Sequence, residues 1–223
     1  MIKTQKMSIS PASDCSLCTR LVRFRNENRQ KYPTYHNAPV PAFGSLDAEL
    51  LIVGLAPGLK GANATGRPFT GDYAGDVLYK VLLDNEFATG SYVSPRGEDI
   101  SGAYEDNLKL QNCRITNAVR CLPPANKPET SEIKTCNSFL TKEIEAMPNL
   151  RVIVALGLVS HNAVLKALGL KASFGKFAHG AQHQLNRDIL LIDSYHCSRY
   201  NINTRRLSPE MFNEIFRLVA SRL

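Results

Sequence analysis

The chain has 223 residues, of which 43% are hydrophobic, and this length and composition favour a single domain with one buried core. Lysine and arginine number 27 against 20 aspartates and glutamates, and the resulting formal charge of +7 favours a polyanionic partner such as DNA without establishing one. No stretch approaches the roughly 18 consecutive apolar residues of a membrane-spanning helix, so we expect no membrane partner.

The amino terminus shows no secretory signal. Residues 1–7 lack an apolar core followed by small residues, so we expect an intracellular, cytoplasmic protein. We expect one domain over residues 1–223, with residues 1–13 as a candidate disordered segment. In a reducing compartment disulfides are disfavoured, so the six cysteines indicate metal or redox chemistry.

Three short apolar runs, each closed by glycine or polar turn residues, are typical of buried parallel strands; they cover residues 50–53, 151–156 and 189–192. A fourth candidate strand, residues 114–119, is β-branched and follows a polar loop. Apolar residues recur at spacings of three and four over residues 133–147, which predicts an amphipathic helix. Ser208 and Pro209 mark the start of a last helix, as its N-cap and first helical position. The alternation predicts a three-layer α/β/α fold around a mostly parallel four-stranded sheet, with the ligand at the carboxyl ends of the strands.

A glycine-rich loop follows the first predicted strand. Residues 54–72 contain five glycines but neither a GxGxxG pattern nor the Gly-Lys-Ser/Thr run that brings a lysine to phosphates. A nucleotide site is therefore disfavoured. The loop still lies at the carboxyl end of a strand, where glycines let backbone N–H groups approach a ligand.

The cysteine spacing indicates a metal site. Cys15 and Cys18 place two thiols within one turn, and Cys121 and Cys136 flank a proline-containing loop that could bring two more to the same centre. Cys113 and Cys197 fit this set less well, because one starts a strand and the other lies beside a histidine. Spacing alone separates neither zinc from an iron-sulfur cluster nor either of them from ordinary buried cysteines.

Three segments together resemble the motifs of a known family. The segment Gly54 to Asp72 looks like the first motif of the iron-sulfur uracil-DNA glycosylases. The segment Thr116 to Pro124 resembles the strand that carries their asparagine and third cluster cysteine, and Ser194 to Leu207 resembles their His-Pro-Ser motif and DNA-inserting loop. The chain is thus similar, over nearly its whole length, to family 5 of these enzymes.

The resemblance implies a structural [4Fe-4S] cluster and ranks it above zinc. Its ligands would be Cys15, Cys18, Cys121 and Cys136, which would staple the amino-terminal segment to the core.

The resemblance also implies how a base would be bound. An enzyme that excises a base must flip it out of the duplex into a pocket. Phe69 is expected to stack on the uracil ring and Asn117 to pair with its N3–H and O4, while Gly54 and Leu55 complete the substrate-binding wall.

Two catalytic residues follow from the same motifs. His196 is expected to donate a hydrogen bond to O2 of the departing base, and Asp72 to position or activate the attacking water. No lysine aligns with a Schiff-base role, so we expect simple hydrolysis without strand cleavage. Leu55 and Ala56 stand where other uracil-DNA glycosylases carry an acid, which predicts activity on hypoxanthine and xanthine besides uracil.

The expected DNA contacts lie in the inserting loop. They are Ser198, Asn201, Arg205, Arg206 and Leu207. Cys197 stands where the family usually has proline.

The sequence therefore predicts a monofunctional DNA glycosylase of base excision repair that acts as a monomer on double- and single-stranded DNA with deaminated bases. The main alternative is a non-catalytic nucleic-acid-binding protein with a structural zinc site. It would use the same cysteines and the same basic loop.

Overall fold

The computed structural model describes residues 8–95, 106–186 and 188–223. Its strands are β1 (Leu50–Gly54), β2 (Ala88–Thr89), β3 (Lys109–Leu110), β4 (Cys113–Asn117), β5 (Val152–Leu156), β6 (Gln182–Gln184) and β7 (Leu190–Ser194). Its helices are α1 (Thr19–Lys31), α2 (Ala62–Thr65), α3 (Tyr73–Asp84), α4 (Thr130–Glu145), α5 (Leu158–Ala167), α6 (Arg199–Asn203) and α7 (Pro209–Ala220).

The main sheet has five strands in the order β4-β1-β5-β7-β6. All four predicted strands are present and parallel, which confirms the predicted class of fold. The sheet nevertheless exceeds the predicted four strands, because β6 pairs antiparallel with β7 at one edge. This strand consists of Gln182, His183 and Gln184, and such a short polar edge strand has no apolar run to reveal it.

Alternate residues of β1 point to opposite layers of the fold. Leu50 and Ile52 pack with residues of α3 and α7, whereas Leu51 and Val53 pack with residues of α4 and α5. The helices on both faces explain why every residue of β1 is buried. The three-layer architecture is therefore the predicted one.

The predicted helix boundaries agree closely with the structure. Helix α4 covers most of residues 133–147 and begins with a capping box between Glu129 and Glu132. Helix α7 begins at Pro209, and the Ser208 side chain accepts a hydrogen bond from Met211 N–H, as the sequence predicts.

A buried ionic network ties β4 to α4. Glu143 is fully buried and accepts hydrogen bonds from Arg114 Nε at 2.7 Å and Thr116 Oγ1 at 2.8 Å. Arg120, which follows β4, also pairs with this carboxylate. The network fixes the backbone between Asn117 and Cys121.

Parallel pairing brings several strand ends to one edge of the sheet. Gly54 at the end of β1 lies in register with Asn117 at the end of β4, and β7 ends at Ser194 on the same edge. The loops after these strands therefore meet, as expected for a ligand site in an open α/β sheet. Among the described residues, no helix has both the length and the apolar character needed to cross a membrane.

Candidate active site and cysteine site

A cavity of about 610 Å³ opens at this edge of the sheet, a volume typical of ligand pockets. Its walls come from the loop after β1, the start of α3, the end of β4 and the segment after β7. The predicted catalytic and base-binding side chains Phe69, Asp72, Asn117 and His196 all line it, together with Leu55. The structure thus brings together residues that lie far apart in the chain.

Gly54 allows two side chains to meet at the end of β1. A Cβ atom at this position would overlap Asn117 Oδ1 and lie 2.7 Å from Phe69 Cζ. Phe69 has a positive φ of 56°, a conformation that non-glycine residues rarely adopt. A Cβ at Gly75 would overlap the carbonyl oxygen of Phe69, so a second glycine gives this strained backbone its space.

Asn117 presents a side-chain amide to the cavity. The residue is only 4% exposed, and its side chain makes no hydrogen bond to any residue described in the structure. Buried amides almost always have partners in proteins or ordered water. Its donor and acceptor are therefore available to a ligand.

His196 lies opposite Phe69 in the cavity. The two ring centroids are 5.9 Å apart with an interplanar angle of 25°. Burial lowers the pKa of His196 to about 4, so the imidazole is neutral at pH 7. Neither ring nitrogen bonds to the part of the chain that the structure describes. A neutral imidazole has one N–H donor and one acceptor, and both remain available for a ligand.

Asp72 has a structural position as well as a place in the cavity wall. It is the N-cap of α3, and its Oδ1 accepts a hydrogen bond of 2.9 Å from Gly75 N–H. Desolvation by the surrounding protein raises the pKa of this carboxyl, although its side chain still reaches the solvent of the open cavity. A carboxylate with a raised pKa is a stronger base than a free aspartate.

Two residues of the predicted inserting loop hold the loop in place. Ser198 caps α6 by accepting a hydrogen bond from Asn201 N–H at 3.4 Å, and it also lines the cavity. Asn201 Nδ2 donates to the backbone carbonyl of His196 at 2.8 Å. These contacts fix the segment that carries His196.

Leu207 corrects an expectation from the sequence. It has 0% exposed surface and belongs to the hydrophobic cluster between the sheet, α3 and α7. A side chain without exposed surface cannot touch DNA in this conformation. Leu207 therefore anchors the end of the loop in the core.

The exposed part of the loop is basic and aromatic. Arg205 and Arg206 are exposed, and the Arg206 guanidinium lies 4.5 Å from the ring centroid of Tyr195. Tyr200 is 72% exposed, the largest exposed fraction among the large hydrophobic side chains described. Sequence reasoning missed Tyr200, although an aromatic residue among arginines was a usable signal.

The cavity is also lined by Ala56, already singled out for the substrate range, and by Arg199, in the basic loop. Sequence reasoning assigned no role to the remaining lining residues, which are Pro57, Gly58, Ala62, Tyr73, Ala74 and Asn126. Tyr73 and Arg199 directly follow predicted site residues, and the Arg199 guanidinium lies 5.5 Å from the Tyr73 ring centroid. Asn126 comes from the loop between Cys121 and Cys136, and no pattern in the sequence announces it.

The four predicted metal-ligating cysteines line one small pocket between α1, the start of α4 and the segment after β4. They are Cys15, Cys18, Cys121 and Cys136, whereas Cys113 and Cys197 lie in the main core. Burial is the main reason that the pKa of Cys18 rises to about 11, and the charges of neighbouring cysteines add to this rise. Burial in the same pocket raises the pKa of Cys121 to about 12. A positive centre is needed to hold all four as thiolates.

The residues around the cysteines fit a negatively charged metal-thiolate group. The backbone N–H of Arg120 donates to Cys136 Sγ at 3.4 Å. Nε and Nη1 of Arg25 and Nη1 of Arg120 are buried without a hydrogen-bond partner among the described residues, and both arginines line the cysteine pocket. Unpaired buried cations are costly unless an anion lies nearby.

A second group of possible metal ligands is better explained as an ion pair. His161, His183 and Asp193 place their ligand atoms within 4.8 Å of one another. His161 Nδ1 lies 2.8 Å from Asp193 Oδ1, and its Nε2 lies 3.1 Å from the Gly175 carbonyl oxygen. Both ring nitrogens face acceptors. Burial lowers the pKa of His161, but the hydrogen bond and charge of Asp193 outweigh this effect and raise the pKa above its ordinary value. The hydrogen bonds of the two ring nitrogens occupy the positions that a metal would need.

Comparison with known proteins agrees with this architecture. The family model described as Uracil DNA glycosylase superfamily matches residues 41–220, most of the chain. The chain belongs to this superfamily.

Curated relatives define the branch. A Type-5 uracil-DNA glycosylase from Thermus thermophilus is 42% identical, and the match covers 94% of this chain and 93% of the relative. Type-5 uracil-DNA glycosylases from Pyrobaculum aerophilum and Mycobacterium leprae are 38% and 40% identical, over 93% and 92% of this chain and 88% and 90% of the relatives. Within the superfamily, the chain belongs to the type-5 uracil-DNA glycosylases, which confirms the resemblance found in the sequence.

Proposed function

We propose that this protein is a monofunctional uracil-DNA glycosylase of base excision repair, which hydrolyses the N-glycosidic bond and leaves an abasic site. One observation carries the proposal: in a chain of this family, Phe69, Asp72, Asn117 and His196 line a single cavity at the carboxyl edge of the sheet. No lysine lines this cavity in the described structure, which favours hydrolysis over Schiff-base chemistry.

Base recognition uses one face and one edge of the ring. The flipped base lies against Phe69, and the Asn117 amide pairs with N3–H and O4 of uracil. The free amide of Asn117 and its closeness to Phe69 across Gly54 support this arrangement. Leu55 supplies an apolar wall.

His196 stabilises the leaving group. When the bond between C1′ and N1 breaks, its electron pair stays on the base, and negative charge develops on O2. The neutral imidazole of His196 carries one N–H, and this N–H donates a hydrogen bond to O2. No proton has to leave the ring for solvent first. Because this hydrogen bond strengthens as negative charge develops on O2, the transition state gains more than the ground state.

Asp72 acts on the water. The water oxygen forms the new bond to C1′, and its proton passes to the Asp72 carboxylate or to the departing base. The raised pKa of Asp72 and its place in the cavity wall support this role. Its cap bond to Gly75 N–H would keep the carboxylate in one orientation.

The apolar wall also supports a broader substrate range. Leu55 and Ala56 present no carboxylate or amide side chain to the base, so neither residue rejects a purine by charge. We extend the proposal to hypoxanthine and xanthine. Strict specificity for uracil in every mismatch would contradict this extension.

The loop after β7 forms the DNA contact. Arg205 and Arg206 bind phosphates and Tyr200 meets the bases beside the flipped nucleotide, while Ser198 and Asn201 hold the loop. The formal charge of +7 supports binding to double- and single-stranded DNA. We further propose a monomer, folded as one domain over residues 1–223, that acts inside the cell on the chromosome.

Cys15, Cys18, Cys121 and Cys136 would hold a [4Fe-4S] cluster. When bound, this group supplies structural cross-linking, and its negative charge matches the unpaired arginine nitrogens around the pocket. Zinc is the alternative that four thiolates also accept. A broad visible absorption band with stoichiometric iron and sulfide supports the cluster, whereas colourless protein with one zinc per chain contradicts it.

The decisive experiment incubates the purified protein with a duplex that contains one uracil and then tests for alkali-labile sites. We expect cleavage only after alkali treatment, together with free uracil. His196→Ala serves as the matched inactive control. If the wild-type protein binds the duplex but releases no base, the non-catalytic DNA-binding alternative is correct.

A further inference from the structure

Arg25 lies on the buried face of α1, close to the cysteine pocket. The helix begins directly after Cys18, and its buried residues are Leu21, Arg25 and Asn28. Arg25 is only 7% exposed and lines the same pocket as the four cysteines. A charged side chain on the buried face of a helix needs a counter-charge.

Two nitrogens of the Arg25 guanidinium group have no hydrogen-bond partner among the described residues. Its Nε and Nη1 atoms are buried and make no hydrogen bond within residues 8–95, 106–186 and 188–223. Carboxylates on the surrounding segments pair with other arginines: Asp14 with Arg29, Glu132 with Arg20, and Glu143 with Arg114 and Arg120. An isolated buried guanidinium would destabilise the fold strongly, so the charge is balanced by something else.

The thiols are the remaining candidates for that balance. Arg25 lines the small pocket that contains Cys15, Cys18, Cys121 and Cys136, so its charge lies beside their sulfurs. Four cysteine thiolates around a [4Fe-4S]²⁺ core leave a net charge of about −2. This anion lies where the cation has no other partner.

We propose that Arg25 is the counter-cation of the iron-sulfur cluster, with Nε and Nη1 donating hydrogen bonds to its sulfurs. This inference rests on the proposed cluster. Arg25 is a positioning residue: it retains the cluster and sets its reduction potential, and it touches neither base nor water. A neighbouring positive charge favours the more negative, reduced form, so it raises the potential.

The test compares holoproteins purified without air. Arg25→Met removes both charge and donors, and Arg25→Lys keeps the charge with a different geometry. Arg23→Met on the same helix is the matched control, because the Arg23 side chain is 78% exposed. The readouts are iron and sulfide per chain, the rate at which the visible band decays with chelator and oxidant, and the midpoint potential.

We expect Arg25→Met to lose its cluster about 10-fold faster than the wild type and to have a lower potential, since outer partners of metal sites typically contribute 10- to 100-fold to retention. Arg25→Lys should lie between them, and Arg23→Met should match the wild type. Equal decay rates and potentials in Arg25→Met and Arg23→Met would overturn the inference. If Arg25→Met does not fold, Arg25→Gln replaces it under the same criterion.

The outcomes separate this inference from the proposed activity. Wild-type protein that contains zinc and no iron or sulfide would overturn both the cluster and the role of Arg25. A brown protein that excises no uracil would overturn the activity alone and leave the comparison of the Arg25 variants valid.

Discussion

Gly54 and Asn117 lie side by side at the ends of β1 and β4, so close that a Cβ on Gly54 would overlap the Asn117 side-chain oxygen. The same Cβ would press on the Phe69 ring. The absence of a side chain at residue 54 therefore sets the distance between the stacking ring and the amide that we propose to read uracil. The packing of one glycine links the sheet register to base recognition.

Gly54→Ala should reduce single-turnover excision of uracil by about 100-fold, because a shift of about 1 Å in a binding group can have that effect. The overpacking should also lower the free energy of unfolding by about 1–3 kcal/mol. Rates with saturating enzyme and urea unfolding curves measure the two effects.

A stability control is available on the same strand. Leu51 is buried on the opposite face of the sheet, against α4 and α5. Leu51→Ala should destabilise the protein by about 2–5 kcal/mol yet keep near-normal excision per folded molecule. Gly54→Ala with full activity would contradict the close packing of Asn117 and Phe69.

The sequence predicts the sheet better than its edges. The runs that became β1, β5 and β7 are apolar because helices cover both of their faces, and this makes them visible in the sequence. The run that became β4 is less apolar, because Arg114 and Thr116 bind the buried Glu143 of α4. Strand β6 has no such cover on its polar residues. Antiparallel pairing with β7 across a short connection defines it, and its three polar residues form no apolar run that would reveal it.

Some residues of the candidate site could likewise be predicted from the sequence, and others could not. Asp72 and His196 lie in motifs, so resemblance found them, and the structure places both in the cavity wall. Leu207 belongs to a motif too, but its burial depends on how the loop folds back onto α7. Arg25 has no motif at all, since only the three-dimensional environment shows that its nitrogens lack partners.

Asp72→Asn separates the helix cap from the catalytic role. Asparagine caps helices about as well as aspartate, so the free energy of unfolding should change by less than about 0.5 kcal/mol. Excision should fall by about 100-fold or more, because the amide cannot take a proton. Single-turnover rates and thermal unfolding provide the measurements.

Asp72→Ala is the companion variant, and it should lose the cap as well, about 1 kcal/mol of stability. Full excision by Asp72→Asn, alongside loss of excision in His196→Ala, would show that Asp72 is a cap without a role in catalysis.

His196 should make the folded state sensitive to acid. Its folded pKa of about 4 lies below the ordinary value of 6.5, so the unfolded chain binds more protons between these pH values. Stability from this residue is fully present above pH 6.5 and is lost as the pH falls toward 4, by up to roughly 3 kcal/mol. Unfolding free energies of the wild type and His196→Asn between pH 4 and 8 test this. A difference between the two proteins that does not change with pH would contradict the neutral imidazole.

The exposed loop should carry the salt-sensitive part of DNA binding. Arg205→Glu combined with Arg206→Glu should weaken binding to undamaged and damaged duplexes alike, and should lower the slope of log K against log salt by about 2. Fluorescence anisotropy at several salt concentrations measures this slope. An unchanged slope would remove both arginines from the interface.

Tyr200 should act differently from the arginines. Tyr200→Ala removes an exposed ring, so we expect base-flipping and excision to fall while the salt slope stays the same. A single-stranded uracil substrate needs less unstacking and should be affected less. Equal losses on both substrates would contradict contact with the stacked bases, and Tyr200→Phe should retain most activity.

The buried pair of His161 and Asp193 should stabilise the protein most at lower pH. Burial lowers the pKa of His161, but the hydrogen bond and charge of Asp193, with the Gly175 carbonyl, outweigh it and raise the pKa above 6.5. Because the folded state holds the proton more tightly, this stability is fully present below pH 6.5 and is lost as the pH rises through the folded pKa.

Replacing Asp193 should lower the free energy of unfolding, because His161 then stays buried without its partner. Asp193→Asn leaves the buried imidazole without its counter-charge and should destabilise the protein by about 3–5 kcal/mol near pH 6. The loss should shrink at higher pH, where His161 becomes neutral in either protein. Chemical unfolding of the wild type and the variant from pH 6 to 9 tests this, and a loss that grows with pH would contradict a protonated His161.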